Sequence, residues 1–124
     1  MGPLFDFGRS ASRLETAEAL AEQAEVQYRA TVAQAFNEVR NALVIYETSG
    51  ERVAAIRRQV AAFERTLELA EVRYREGFVG FIELLDAQRA LLAAELALSE
   101  AMRDRLTATA TLFKALGGGW QLDG

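Results

Sequence analysis

Glu83 and Asp86 form a pair of carboxylates whose type and spacing could do chemistry. Residues three apart on a helix lie on one face, so the two carboxylates are expected side by side at the start of a helix, both in its first turn. Paired carboxylates can transfer protons, but this needs a cleft that shifts the pKa of one of them. They can also attract cations, or simply stabilise a first helical turn through the helix dipole.

The rest of the sequence offers no partner for acid–base chemistry. It contains no histidine and no cysteine, so the usual general base, thiol chemistry and the usual zinc ligands are missing. We therefore predict no catalytic residue, no cofactor and no metal site, and the protein is not expected to be an enzyme. Two explanations of Glu83 and Asp86 stay open: ordinary helix-start acids, or a ring of carboxylates formed when several copies surround an axis.

Composition limits the class of protein. The chain has 124 residues, a length that corresponds to one domain, and 51% of its residues are hydrophobic. A net charge of −4 argues against nucleic-acid binding, which needs a concentrated excess of Lys and Arg. No run of ~18 apolar residues and no charged-then-apolar amino terminus is present, so the chain as given is expected to be soluble and to carry no targeting signal.

Two glycines organise the chain around a predicted turn. Gly77 follows a charged helical turn, as a left-handed residue that ends a helix does, and Gly80 stands where the next helix would be capped. A loop over 77–80 is too short to do anything except reverse the chain. The sequence therefore predicts an all-α fold, a long antiparallel helical hairpin of the coiled-coil type.

A stripe of mostly apolar residues at steps of three and four predicts one long helix over 12–76, preceded by an extended lead-in over 1–11. Ser12 and Glu15 have capping-box spacing and mark the expected start. Ser49 and Gly50 lie in the middle of this helix, and a break there would give a three-helix bundle instead. The stripe keeps its spacing across these two residues, which favours one continuous helix. Its members are Leu14, Ala17, Ala21, Ala24, Tyr28, Val32, Ala35, Val39, Ala42, Tyr46, Ser49, Val53, Ile56, Val60, Phe63, Leu67, Ala70 and Tyr74.

The second helix, predicted over 81–116 before a glycine-rich tail at 117–124, carries two apolar stripes. A helix with so wide an apolar arc must contact more than one neighbour, so we expect the chain to form dimers or trimers. The first stripe comprises Ile82, Leu85, Leu92, Leu96, Ser99, Leu106, Ala110 and Phe113. The second comprises Leu84, Ala87, Leu91, Ala94, Leu98 and Ala101.

The chain resembles the carboxy-terminal part of the TolC-like outer-membrane factors, the exit ducts of bacterial tripartite efflux pumps. The segments that carry this resemblance are 3–9, 33–43, 73–77 with 85–88, and 115–120. The resemblance implies a fragment of a periplasmic tunnel that three copies form beneath an outer-membrane barrel, the membrane being contacted only through that barrel. A periplasmic adaptor and an inner-membrane transporter are the implied partners.

The resemblance also implies roles for the tip. Acidic residues after the tip line the constriction of family members, and Glu83 and Asp86 occupy those positions. Gly77, Phe78, Val79 and Gly80 would form the loop that the adaptor grips. The first repeat, the barrel strands and a signal sequence of the family are not in this sequence, so transport by the chain alone is not expected. The alternative is a self-associating coiled-coil interaction module without a transport role.

Overall fold

The computed structural model describes residues 3–117, with side chains from Asp6 onward. It contains two helices, α1 at Pro3–Arg75 and α2 at Phe81–Gly117. The predicted all-α class and two long helices are therefore confirmed. The predicted tail falls almost wholly outside the described residues, as do Met1 and Gly2, and α2 extends one residue further than expected, to Gly117.

The start of α1 differs from the predicted boundary. Helix replaces the extended lead-in from Pro3 onward, because proline is well suited to a first helical position, where its missing N–H has no partner to lose. Asp6 in the first turn is favoured by the helix dipole. Ser12 does not cap a helix: its hydroxyl donates to the carbonyl oxygen of Arg9 at 3.1 Å, a bond within a continuing helix.

α1 continues through Ser49 and Gly50, so the three-helix alternative is wrong. The Thr48 hydroxyl donates to the carbonyl oxygen of Val44 at 2.9 Å. The Ser49 hydroxyl donates to the carbonyl oxygen of Tyr46 at 2.7 Å. Both hydroxyls thus bond back along the helix, where a helix start would have required Thr48 to accept a bond from a backbone N–H.

The chain divides into two compact units, Met1–Glu38 and Val39–Gly124. The first unit is helical throughout its described part, and every side chain of 6–38 is exposed. Its large apolar side chains are exposed as well, among them Tyr28 at 71% and Phe36 at 72%. An ion pair of 2.6 Å joins Arg29 to Glu25 one turn earlier on this helix. Such exposed pairs add only a few tenths of a kcal/mol.

The second unit is an antiparallel hairpin, formed by the last part of α1 and by α2. The heptad stripe of α1 is its core side: from Val39 to Ala70 every member of the stripe is buried or half-buried. The stripe ends there, since Tyr74 is 44% exposed. The buried side chains are mostly small, which lets two helix backbones approach closely. They are Ala42, Val53, Val60, Leu84, Ala94, Ala101 and Ala108.

Only the second of the two apolar stripes of α2 faces α1. It is buried or half-buried from Leu84 to Ala101 and continues through Ala108 to Leu112. The first stripe stays largely uncovered within the hairpin, with Leu96 at 59%, Leu106 at 72% and Phe113 at 71% exposed. Large exposed apolar side chains repeated along one helix face indicate an interaction surface.

Neither helix in the described part of the chain has an apolar stretch long enough to cross a membrane.

Candidate functional site at the hairpin tip

The end of α1 is closed by a left-handed glycine, as the sequence predicted. Gly77 has φ of +78°, a backbone conformation that side chains with a Cβ rarely adopt. The N–H of Phe78 donates to the carbonyl oxygen of Arg73 at 2.8 Å, and the N–H of Gly77 donates to that of Tyr74 at 3.0 Å. These two bonds form a Schellman motif, which satisfies carbonyls that the helix end would leave free.

The start of α2 is fixed three residues later. The carbonyl oxygen of Gly80 accepts the first bond of the helix, from the N–H of Leu84 at 3.4 Å, so Gly80 is the N-cap residue that the sequence predicted. The rings of Tyr74 and Phe81 face each other across the loop, with centroids 6.1 Å apart. Because both helix ends are fixed by backbone bonds, the tip is a defined structure that can present the same surface in every copy.

The loop itself presents one large apolar side chain to solvent. Phe78 is 79% exposed, the highest exposure among the large apolar side chains of the described residues. Val79 is half-buried and turns toward the hairpin, where it lines a groove between the two helices. The predicted loop residues Gly77, Phe78, Val79 and Gly80 are thus together at the tip, with Phe78 as the side chain available for contact.

Glu83 and Asp86 lie on the same groove as Val79, on the flank of the tip. Glu83 is in the first turn of α2, as predicted, but Asp86 is beyond it, so the prediction that both carboxylates lie in the first turn is wrong for Asp86. The helix dipole, whose effect is confined to the first turn, therefore accounts for Glu83 and not for Asp86. Mostly apolar residues of α1 line this groove together with Arg73. Its lining is Phe63, Thr66, Leu69, Ala70, Arg73, Val79, Glu83, Asp86, Ala87 and Ala90.

The two carboxylates are exposed and make no ion pair within 4.0 Å to any residue of 3–117, although Arg73 borders the same groove. No group of three or more acidic side chains in that range could hold a metal ion. A single copy therefore supplies negative charge on an open surface. This open surface differs from the enclosed, water-poor setting in which paired carboxylates carry out acid–base catalysis.

Sequence reasoning missed two arginines. The sequence places Arg73 in the segment 73–77 at the tip and predicts no role for its side chain, yet Arg73 lines the groove of Glu83 and Asp86. Arg105 was not assigned at all. Extending the second α2 stripe by one step of four beyond Ala101 would have found it, since that step places an arginine opposite Gly50.

Comparison with known proteins agrees with this architecture. Residues 2–118 match the family described as outer membrane efflux protein. The cation efflux system protein CusC of Escherichia coli O6:H1 is 35% identical over 119 residues, which are 96% of this chain and 26% of CusC. The outer membrane protein OprJ of Pseudomonas aeruginosa is 37% identical over 118 residues, 95% of this chain and 25% of OprJ.

The solved structure of the outer-membrane channel OprN has the same fold over this region. It matches with a TM-score of 0.73 and 37% identity, covering 95% of this chain and 26% of OprN. The chain thus spans about a quarter of the length of the relatives that it matches. With a family match over nearly the whole chain, and a helical hairpin shared with a solved channel, this protein belongs to the outer membrane efflux protein family.

Proposed function

We propose that this chain is part of the periplasmic tunnel of an outer-membrane efflux channel that works in a tripartite export pump. The tip of the hairpin is the closing end of the tunnel and the surface for the adaptor. The family and the relatives named for efflux support this assignment. The rival, a coiled-coil module without a transport role, draws no support from these relatives.

The observation that carries the proposal is the capped tip with its two unpaired carboxylates. Gly77 and Gly80 hold the loop by backbone bonds, and Glu83 and Asp86 follow on an exposed flank. Arranged around an axis, three such tips would bring six carboxylates together in a narrow opening. Their mutual repulsion there would be relieved by cations or by a partner, which is the behaviour expected of a gate.

The partners follow from the surfaces that the hairpin leaves uncovered. Further copies of the chain, three in the complete duct, would cover the exposed leucine stripe of α2. A periplasmic adaptor would contact the loop at Phe78, and an inner-membrane transporter would complete the pump. In this arrangement the parent protein is in the outer membrane and the hairpin extends into the periplasm.

A chimera tests the transport role. Residues 3–117 replace the matching segment of CusC in an Escherichia coli O6:H1 strain from which CusC has been deleted. The assay is growth in the presence of cations that inhibit the deletion strain more strongly than its parent. The chimera is expected to restore growth on them, and a chimera with Leu98→Pro, which breaks α2, is expected to fail. A chimera that reaches the outer membrane at the parent level without restoring growth would contradict the proposal.

Adaptor contact is tested at Phe78 in the same chimera. A photo-crosslinking amino acid at this position should capture the adaptor protein, because the side chain is exposed at the loop. The matched control places the same amino acid at Leu106, which is 72% exposed but far along α2. Capture of the adaptor from Leu106 and not from Phe78 would place the adaptor away from the tip.

A further inference from the structure

The face of α2 that packs against α1 repeats itself every seven residues. It consists of a row of leucines and, beside it, a row of alanines, all of them buried or half-buried. Because the same two residue types recur at the same two positions, sliding α2 along α1 by one heptad would put leucine in place of leucine and alanine in place of alanine. The leucine row is Leu84, Leu91, Leu98 and Leu112, and the alanine row is Ala87, Ala94, Ala101 and Ala108.

Arg105 interrupts the leucine row. It lies seven residues after Leu98 and seven before Leu112, at a position where the pattern calls for leucine. Its side chain is exposed, so the guanidinium extends from the seam between the helices to the surface. A single polar residue at such a position costs stability in a coiled coil, and it specifies one register because the other registers offer it no partner.

Tyr46 and Gly50 on α1 are the partners of this guanidinium. Its central carbon is 5.6 Å from the centre of the Tyr46 ring, within the range of a cation–π contact. Its Nη1 is only 3.2 Å from the position that a Cβ on Gly50 would occupy. Gly50 is the only glycine between Val39 and Arg75, so the space that its absent side chain leaves occurs once along this part of α1.

Registers displaced by one heptad lack these partners. Sliding α2 in one direction or the other would put Leu43 or Arg57 in the place of Gly50. Leu43 has a side chain where Gly50 leaves space, and Arg57 would bring a second positive charge beside Arg105. Either displacement would also put a valine in the place of Tyr46, so the ring that faces the guanidinium would be lost. These valines are Val39 and Val53.

The tip loop restricts sliding as well, but it does so at its own end of the hairpin. A loop over 77–80 cannot span a further heptad of helix, about 10 Å, unless helical turns unwind. Gly50 and Arg105 are each about 25 residues from the tip, which is roughly 37 Å along the helices. The hairpin is therefore aligned at two separate places, by the caps of the tip and by Arg105.

We propose that Tyr46, Gly50 and Arg105 form a register lock, which selects one alignment of α2 on α1 from those that the leucine and alanine rows allow. The lock holds the exposed leucine face of α2 at a fixed height relative to α1, so every copy of the chain presents the same surface. This inference concerns the hairpin itself and does not depend on the transport role. It is tested on the isolated chain, so its failure and the failure of the chimera are distinguishable.

Spin-label distances test the lock in a chain whose loop no longer sets the alignment. Seven glycine and serine residues are inserted between Val79 and Gly80, and labelled cysteines replace the exposed residues Glu68 and Thr107. The sequence contains no other cysteine. A shift of one heptad changes the separation of the labels along the helices by about 10 Å. Excess unlabelled chain removes distances between copies, and circular dichroism measures the helix content.

With Arg105 present, the distance found without the insertion should remain the main one, roughly fivefold more populated than any other. Arg105→Leu completes the leucine row and should give several distances about 10 Å apart. Leu98→Arg with Arg105→Leu keeps the composition but moves the arginine by one heptad. Its guanidinium reaches Tyr46 and Gly50 only if α2 shifts away from the tip, so the main distance should lengthen by about 10 Å.

A stability measurement on the chain without the insertion separates a lock from a stabilising contact. Arg105→Leu should raise the midpoint of thermal unfolding by roughly 4 °C, because a polar residue that selects a register costs stability. A lower midpoint would mean that Arg105 serves stability and would overturn the proposal. So would one unchanged distance in all three chains with the insertion, or several distances in the chain that keeps Arg105.

Discussion

The rings of Tyr74 and Phe81 lie 6.1 Å apart across the tip loop, with their planes inclined by 59°. This tilted geometry is favourable for two aromatic rings, and such a pair contributes about 0.5–1.5 kcal/mol beyond the area it buries. The pair joins the last turn of α1 to the first residue of α2. It therefore ties together the two helix ends that the loop leaves and enters.

We expect a double-mutant cycle of Tyr74→Ala and Phe81→Ala to give a coupling free energy of about 0.5–1.5 kcal/mol in chemical unfolding. Phe78→Ala is the matched control, because Phe78 lies between them in sequence and is 79% exposed. Its substitution should change the free energy of unfolding by less than ~0.5 kcal/mol. A coupling of zero would mean that the two rings contribute only through separate contacts.

Gly77→Ala should destabilise the hairpin by about 1–2 kcal/mol, because alanine is strained at φ of +78°. Thermal unfolding followed by circular dichroism measures this. Gly8→Ala is the control: Gly8 is inside α1, and an added Cβ meets no atom within 4 Å. That substitution should instead stabilise the helix by ~0.5–1 kcal/mol. Equal effects of the two would show that the left-handed turn is not needed.

Gly50→Ala combines two opposing effects. Alanine favours the helix by about 0.5–1 kcal/mol, but its Cβ would lie 3.2 Å from Nη1 of Arg105 and force that side chain to move. Because the displaced group is the end of a flexible side chain, we expect little net change in the free energy of unfolding. In an Arg105→Ala background the full helix gain should be measured. The same gain in both backgrounds would contradict the contact between Gly50 and Arg105.

The exposed stripe of α2 should drive self-association of the isolated chain. Dimers or trimers are expected in light scattering at micromolar concentration, because Leu96, Leu106 and Phe113 are each more than half exposed. Leu96→Glu with Leu106→Glu should yield monomers that remain helical. A substitution at two exposed polar positions, Glu100→Gln with Arg103→Gln, serves as the control. A monomeric parent chain would contradict this expectation.

Glu83→Gln with Asp86→Asn tests the proposed ring of carboxylates. In the reconstituted chimera the double substitution should lower the preference for cations over anions, as measured from the reversal potential in a salt gradient. The helices should stay folded, since one first-turn acid contributes only ~0.3–1 kcal/mol. Glu68→Gln with Glu71→Gln removes the same charge from α1 and is expected to have a smaller effect. Unchanged selectivity would make Glu83 and Asp86 ordinary surface acids.

Short-range features of the chain were predictable from sequence. The helix caps at Gly77 and Gly80 depend on backbone hydrogen bonds between residues close in sequence. The heptad stripe from Val39 to Ala70 depends only on spacing along one helix. The predicted start of α1 at Ser12 was wrong because the local sequence allowed two different bonds. A serine hydroxyl has a second bond available, to a carbonyl one turn back, and the sequence does not say which of the two forms.

The tertiary structure decided what the second helix does with its two stripes. The spacing of apolar residues does not distinguish the two stripes. Ala94, Ala101 and Ala108 allow two helix backbones to approach closely, so their face is buried. The face with the exposed leucines is left for other partners. It also decided the meaning of Gly50. From the sequence alone, this glycine only weakens a helix. In the hairpin it makes room for Arg105, and the sequence could not show this because the two residues are 55 positions apart.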